Sequence, residues 1–374
     1  VSDSEYGELQ LNGLTEISEK AAIELANHCG EGLSLNGLTK LNYKVAKALG
    51  NHEGELYLQG LRNLSEKEAT ALSSQDGDLF LDGLVNLSDD AIKALANHSG
   101  GQGYDKDDMG GISLNGLTRL SETAIRILSQ HTGRLSLDGL KSISDYAAEE
   151  FAKHFGDLSF DGLSIISDNV AESLGKLRNN LWLNGLTSLS DEGAKGLAKH
   201  KGRLSLNGLT TLSDKAVKTL SKHEGRIFLN GLTTLSDKAA ESLAKQPGNL
   251  PPGKEWNSIP NELLVKNLDD LSIDYITLSD KAAEALAKHQ GGALSFDGLS
   301  TLSDKAAKEL AKHQGDLSFS SLQTLNVKTA NALAKHSGKL SFAGLKFIDD
   351  NSADALAKHE GDLLLNGLTS LSDK

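Results

Sequence analysis

Eleven histidines are the side chains in this sequence best able to carry a proton or a metal, and all of them occupy one place in a recurring pattern: His28, His52, His98, His131, His154, His200, His223, His289, His313, His336 and His359. Each stands near the end of a helix-like stretch, commonly as Lys-His-x-Gly. At one per helix, with axes roughly 8–10 Å apart, neighbouring rings are too distant to share an ion. Zinc would need its nitrogen ligands at about 2.1 Å. The position suits a residue that complements the negative end of the helix dipole and caps its last carbonyls. The same repetition removes histidine from acid–base catalysis, because every one belongs to the scaffold. No metal and no cofactor is expected.

A second polar column holds Asn12, Asn36, Asp82, Asn115, Asp138, Asp161, Asn184, Asn207, Asn230, Asp274, Asp297 and Asn366, each just before a glycine except Asp274, which precedes Tyr275. Paired carboxylates do acid–base work only when their pKa values are driven apart. A solvated ladder supplies no such drive, so a structural ladder is the first reading and a cation or sugar contact the second. Two residues earlier stands a column that is usually serine but becomes Tyr57, Phe80, Trp182, Phe228 and Leu364, with Arg203 and Arg226 at nearby strand starts. Rigid aromatics beside arginine are the usual makings of an interface hot spot. Sugar stacking would use the same face, and ordinary cross-strand packing is the plain alternative. Tyr57, Phe80, Trp182, Arg203, Arg226 and Phe228 are the candidate partner-binding residues, joined by Trp256 from an insertion. The chain contains no G-x-S-x-G, H-E-x-x-H, phosphate loop or dinucleotide fingerprint.

What positions these columns is a repeat. The glycine of an L-x-L-x-G-L core recurs at Gly13, Gly37, Gly60, Gly83, Gly116, Gly139, Gly162, Gly185, Gly208, Gly231, Gly298, Gly344 and Gly367, and Tyr275 and Ser321 keep the frame without it. These are about fifteen coils, 23 residues apart except for a first step of 24 and two insertions. Alternating leucines read as a strand with one buried face. Ser-Asp then reads as an N-cap followed by an acid that complements the helix dipole, as at Ser213-Asp214. Alanines and a leucine at helical spacing (Ala240, Leu243, Ala244) give a narrow apolar stripe over about ten residues, too short to hold alone in water. The closing glycine is expected to supply a left-handed stop. Such units bury their apolar faces only by stacking. Strands about 4.8 Å apart and helices about 8–10 Å apart imply a curved stack with the strands inside.

One unit, I-F-L-N-G-L-T-T-L-S-D-K-A-A-E-S-L-A, resembles the cysteine-containing subtype of the leucine-rich repeat through Leu229, Leu232, Leu235, Ser236, Asp237, Ala240, Leu243 and Ala244. Leucine (Leu14, Leu209, Leu232) replaces the family's cysteine or ladder asparagine, and the coil is shortened to 23 residues, a length also found in some bacterial surface repeats. The resemblance implies an α/β fold: a right-handed leucine-rich-repeat solenoid, or horseshoe, with a parallel β-sheet on the concave face and short α-helices on the convex face. It also implies a protein-interaction scaffold, not an enzyme.

The whole chain, 1–374, is expected to form a single solenoid with insertions at 99–111 and 247–270. The first contains D-x-D-x-x-G without the full acid set of a calcium loop, and reads as a flexible acidic segment. The second holds Pro247, Pro251, Pro252 and Pro260 with Trp256, Ile259 and Leu263, and is either a binding loop or a cover for the irregular coil at 270–278. A net charge of −13 argues against nucleic acid, and no apolar run is long enough to span a bilayer. The lone Cys29 excludes an intramolecular disulfide framework. The start at Val1 fits a processed or trimmed product, and the other short-coil arrays favour an extracellular or bacterial cell-envelope setting. The expected function is capture of a protein partner on the concave sheet, aided by the 247–270 loop. A self-assembling surface protein that associates end to end and a carbohydrate-binding surface are the alternatives.

Overall fold

The computed structural model describes residues 7–28, 30–98, 110–234, 236–244, 271–272, 278–289, 292–296 and 298–371. Cys29, Trp256, the 247–270 insertion and residues 99–109 of the other insertion lie outside the described residues. The chain divides into two compact units, Val1–Gly185 and Leu186–Lys374.

In the first unit strands β1 (Leu9–Gln10), β2 (Gly32–Ser34), β3 (Glu55–Tyr57), β4 (Leu79–Phe80), β5 (Ile112–Ser113), β6 (Leu135–Ser136), β7 (Leu158–Ser159) and β8 (Leu181–Trp182) follow one another in chain order as parallel neighbours. The register is fixed by sequence position: Leu33, Leu56 and Leu79 pair in one row, continued by Ile112, Leu135, Leu158 and Leu181. A helix returns each strand to the next, from α1 (Glu19–Ala26) through α2 (Tyr43–Leu49), α3 (Glu66–Leu72), α4 (Asp89–Leu95), α5 (Glu122–Leu128) and α6 (Asp145–Phe151) to α7 (Asp168–Leu174).

The second unit repeats the plan. After α8 (Asp191–Leu197) come the parallel pair β9 (Leu204–Ser205) and β10 (Ile227–Phe228) with helices α9 (Asp214–Leu220) and α10 (Asp237–Leu243). Beyond the insertion, β11 (Leu271–Ser272), β12 (Leu294–Ser295), β13 (Leu317–Ser318) and β14 (Leu340–Ser341) run in parallel order to β16 (Leu363–Leu364). Helices α11 (Asp280–Leu286), α12 (Asp304–Leu310), α13 (Val327–Leu333) and α14 (Asp350–Leu356) accompany them, and β15 (Phe347–Ile348) pairs with β17 (Ser370–Leu371).

Burial follows the leucine pattern. Leu56, Leu58 and Leu61 of one coil are fully buried, as are Ala69 and Leu72 of its helix. Removing such side chains from water contributes roughly 1.5–3 kcal/mol each. Where phenylalanine replaces leucine the rows persist: Phe296, Phe319 and Phe342 stack at 5.5 and 5.6 Å between ring centroids. Phe151 meets Phe160 edge to face at 5.2 Å. The fourth apolar position, as at Leu41, Leu120 and Leu212, is only half-buried in most coils.

Two expectations about the helices change. Most span seven residues, not ten, because the last turn tightens: in α6 the amides of Lys153 and His154 donate to Glu150 and Phe151, three residues back. The closing glycine is not a general left-handed stop either. Helix ends such as Ala152 (φ −61°) and Ala198 (φ −63°) stay right-handed, and among the described residues only Gly54 and Gly77 have positive φ. The glycines answer a different need, coil-to-coil approach. A Cβ on Gly156 would stand 2.1 Å from the carbonyl oxygen of Gly133, and one on Gly162 would stand 1.8 Å from that of Asp138.

Candidate interaction surface

Each strand offers three outward positions: one at its start, one in the serine or aromatic column, and one in the Asn/Asp column before the glycine. The last is a ladder. Asn12 Oδ1 accepts the Asn36 amide at 3.0 Å, and Asn36 Oδ1 accepts that of Gln59 at 2.9 Å. Asp138 and Asp161 accept the amides of Asp161 and Asn184, both at 2.7 Å. In the second unit Asn207 does the same for Asn230 at 3.0 Å. These oxygens satisfy donors that a two-residue strand leaves over. The ladder therefore sits beside the glycine, while Leu209 and Leu232, at the position where the resembling family carries its cysteine or asparagine, are buried in the core.

The serine column joins this ladder. Ser34, Ser136 and Ser159 donate to the Asn12, Asn115 and Asp138 carboxamide or carboxylate oxygens of the preceding coil at 2.7, 2.8 and 2.6 Å. An aromatic there gives up that donor. Tyr57 and Phe80 do so on adjacent strands and stack face to face, with centroids 4.4 Å apart and planes 5° from parallel. Both rings remain half-exposed, and the Tyr57 hydroxyl donates to Glu55. Burial first, then this hydrogen bond and the negative charges of Glu55, Glu8 and Asp78, raise the Tyr57 pKa well above its ordinary value, so the phenol stays neutral.

The remaining candidates are placed as follows. Trp182 is half-buried on β8, beside Ser159. In the second unit Phe228 is half-buried beside Ser205, Arg203 is exposed and Arg226 half-buried. The structure thus brings Tyr57 and Phe80 into contact with each other.

The histidines depart from the expected spacing and environment. His131 and His154 stack at 6.1 Å, His200 and His223 at 5.6 Å, and His336 and His359 at 6.4 Å, well inside the anticipated 10 Å. All but His28 and His359 are buried among coils, and several bond to backbone of the coil before: Nε2 of His154, His223 and His313 lies 3.0, 3.0 and 2.9 Å from the carbonyls of Gly133, Gly202 and Gly292. Each such contact places a proton on Nε2, which donates to the carbonyl oxygen. Burial pushes the pKa of His52, His98, His154, His223 and His336 down, and that of His131 down to about 4.

A further ladder went unrecognised in the sequence. Several N-cap serines accept an amide of their own helix and also donate to the first acid of the preceding helix: Ser121 to Asp89 at 2.7 Å, Ser167 to Asp145 at 3.1 Å and Ser303 to Asp280 at 2.5 Å. Lysines after the acid add long ion pairs, Lys215 to Asp191 at 3.4 Å and Lys305 to Asp280 at 3.6 Å. The recurring Ser-Asp-Lys triplet was the available signal.

In both units, in-register leucine rows, one short helix per coil and an amide ladder beside the strands define the architecture. The fold is a leucine-rich-repeat solenoid. No protein-family model matches the sequence. No curated protein matches it either. Among solved structures, the solenoid is similar to a leucine-rich-repeat protein of Leptospira interrogans, at 16% identity and a TM-score of 0.44, over 98% of this chain and 95% of that one. It is also similar to an internalin from Listeria monocytogenes, at 12% identity and a TM-score of 0.40, over 96% of this chain and 89% of that one. Among the described residues no helix of the solenoid is long and apolar enough to cross a membrane.

Proposed function

We propose that the chain is a non-enzymatic interaction scaffold that takes a protein partner on the outward face of its strands. One observation carries this reading: the stacked, half-exposed Tyr57–Phe80 pair in a column where serine would have extended the ladder. The substitution gives up a hydrogen bond and leaves apolar ring area facing water, a cost that partner burial offsets. The histidines support the non-enzymatic part, since those whose hydrogen bonds are described face backbone carbonyls from buried positions.

Photo-crosslinking tests this. Benzoylphenylalanine placed at Phe80 is expected to trap a partner that excess unmodified protein competes away. The same group at Tyr146, on helix α6, is expected to trap none. Equal labelling from both positions would sink the reading.

A further inference from the structure

The strand starts of the first unit differ in charge from one end to the other. In the register of β1 to β6 the first outward position is Glu8, Gly32, Glu55, Asp78, Gly111 and Arg134. The aromatic pair on β3 and β4 therefore stands beside the carboxylates of Glu55 and Asp78, with Glu8 close enough to act on Tyr57. The chain already shows what such a border accepts. Arg134 reaches back across the strand of Gly111 to Asp78, at 3.2 Å, although it starts two strands away.

We propose that the Tyr57–Phe80 pair and its acidic border form a receptor for an arginine side chain of a partner protein. A guanidinium is planar, keeps its charge, is weakly hydrated and lies well against aromatic rings, while its N–H groups bond carboxylates in a fork. A lysine ammonium is more strongly hydrated and matches the rings and the fork less well. This identification rests on the interaction-scaffold reading and adds the chemistry of the partner.

The test uses the full chain and three fluorescein-labelled twelve-residue Gly/Ser peptides carrying arginine, lysine or citrulline at the same positions. Fluorescence anisotropy is expected to show the arginine peptide binding at least tenfold tighter than the citrulline peptide and several-fold tighter than the lysine peptide. The Tyr57→Ser/Phe80→Ser variant should lose about tenfold. Its fold is checked by circular dichroism, and serine is the residue that neighbouring coils carry in that column. The Glu55→Gln variant leaves both rings in place and should weaken the arginine peptide, whereas Glu149→Gln, an equal charge change on α6, should leave it unchanged. Equal binding of arginine and lysine peptides, or affinity indifferent to both the ring and Glu55 variants, would reduce the effect to general attraction by the net charge of −13 and overturn the proposal. Partner crosslinking at Phe80 together with such a failure would discard the arginine assignment and keep the scaffold.

Discussion

The hydroxyl of Ser279 lies 2.6 Å from Asp237 Oδ1, although 42 residues separate them. Where no insertion intervenes the same bond spans 22 or 23 residues, as from Ser167 to Asp145 and from Ser303 to Asp280. Lys281 also reaches Asp237, at 3.9 Å. Helix α11 thus rests on α10 as if the intervening insertion were absent.

Excision of the surplus residues should therefore leave the second unit intact. Removing 21 residues from the 245–270 stretch restores the 23-residue step between Gly231 and Tyr275. Loop-closure entropy changes only by about 0.6 kcal/mol per twofold change in length. The melting temperature should hold or rise by a few degrees in a circular-dichroism melt. A large drop would mean that the segment covers apolar surface.

The serine of this bond has two tasks. Ser279→Ala should cost about 1–2 kcal/mol in urea denaturation, because it removes the cap on the Ala282 amide at 3.0 Å along with the bond to Asp237. A double-mutant cycle with Asp237→Ala separates the tasks. A coupling energy clearly different from zero is expected, and strict additivity would reduce the serine to an ordinary cap.

Glycines of one repeat column should differ in tolerance. At Gly13 an added Cβ meets nothing within 4 Å, so Gly13→Ala should be neutral or stabilise by up to about 1 kcal/mol through the unfolded chain. At Gly162 it meets a carbonyl oxygen at 1.8 Å, and Gly162→Ala should cost on the order of 3 kcal/mol as the coils are forced apart. Denaturant midpoints of the two variants check the contrast.

Acid should loosen the stack through its histidines. The unfolded chain takes up protons near pH 6.5, while burial delays uptake by His131 in the folded state to about pH 4. Between these values the unfolded state binds more protons, so stability falls as pH falls. For His131 alone the loss approaches about 3 kcal/mol once both states are protonated. His52, His98, His154, His223 and His336 act in the same direction. The natural comparison is Gln75, which holds the histidine position in its own coil and donates to the Gly54 carbonyl. His131→Gln with His154→Gln should shift the acid-unfolding midpoint downward, and an unmoved midpoint would assign acid sensitivity to other groups.

Much of the candidate surface was legible before the structure. The column holding Tyr57 and Phe80 follows from strand alternation alone, and the parallel register brings the two rings together. Their partnership with Glu55 and the border formed with Asp78 were not legible, because alternation sets which face a side chain leaves from and not which neighbour it reaches. Arg203, Arg226 and Phe228 were equally visible as residue types, but sequence pattern sets their column and not their contacts.

Local pattern determined the coil length, the leucine rows and the helix starts: Ser213, Ser236 and Ser303 cap where Ser-Asp predicted. These features depend on side-chain period and on groups three residues away, which a linear reading contains. Tertiary structure decided what the histidines, glycines and N-cap serines do for the stack. His154 meets Gly133 at a separation of 21 residues and Ser303 meets Asp280 at 23, while Gly156 owes its missing Cβ to a carbonyl in the coil before. Backbone oxygens carry no residue identity, so nothing in the sequence marks them as partners until the coils are laid one on another.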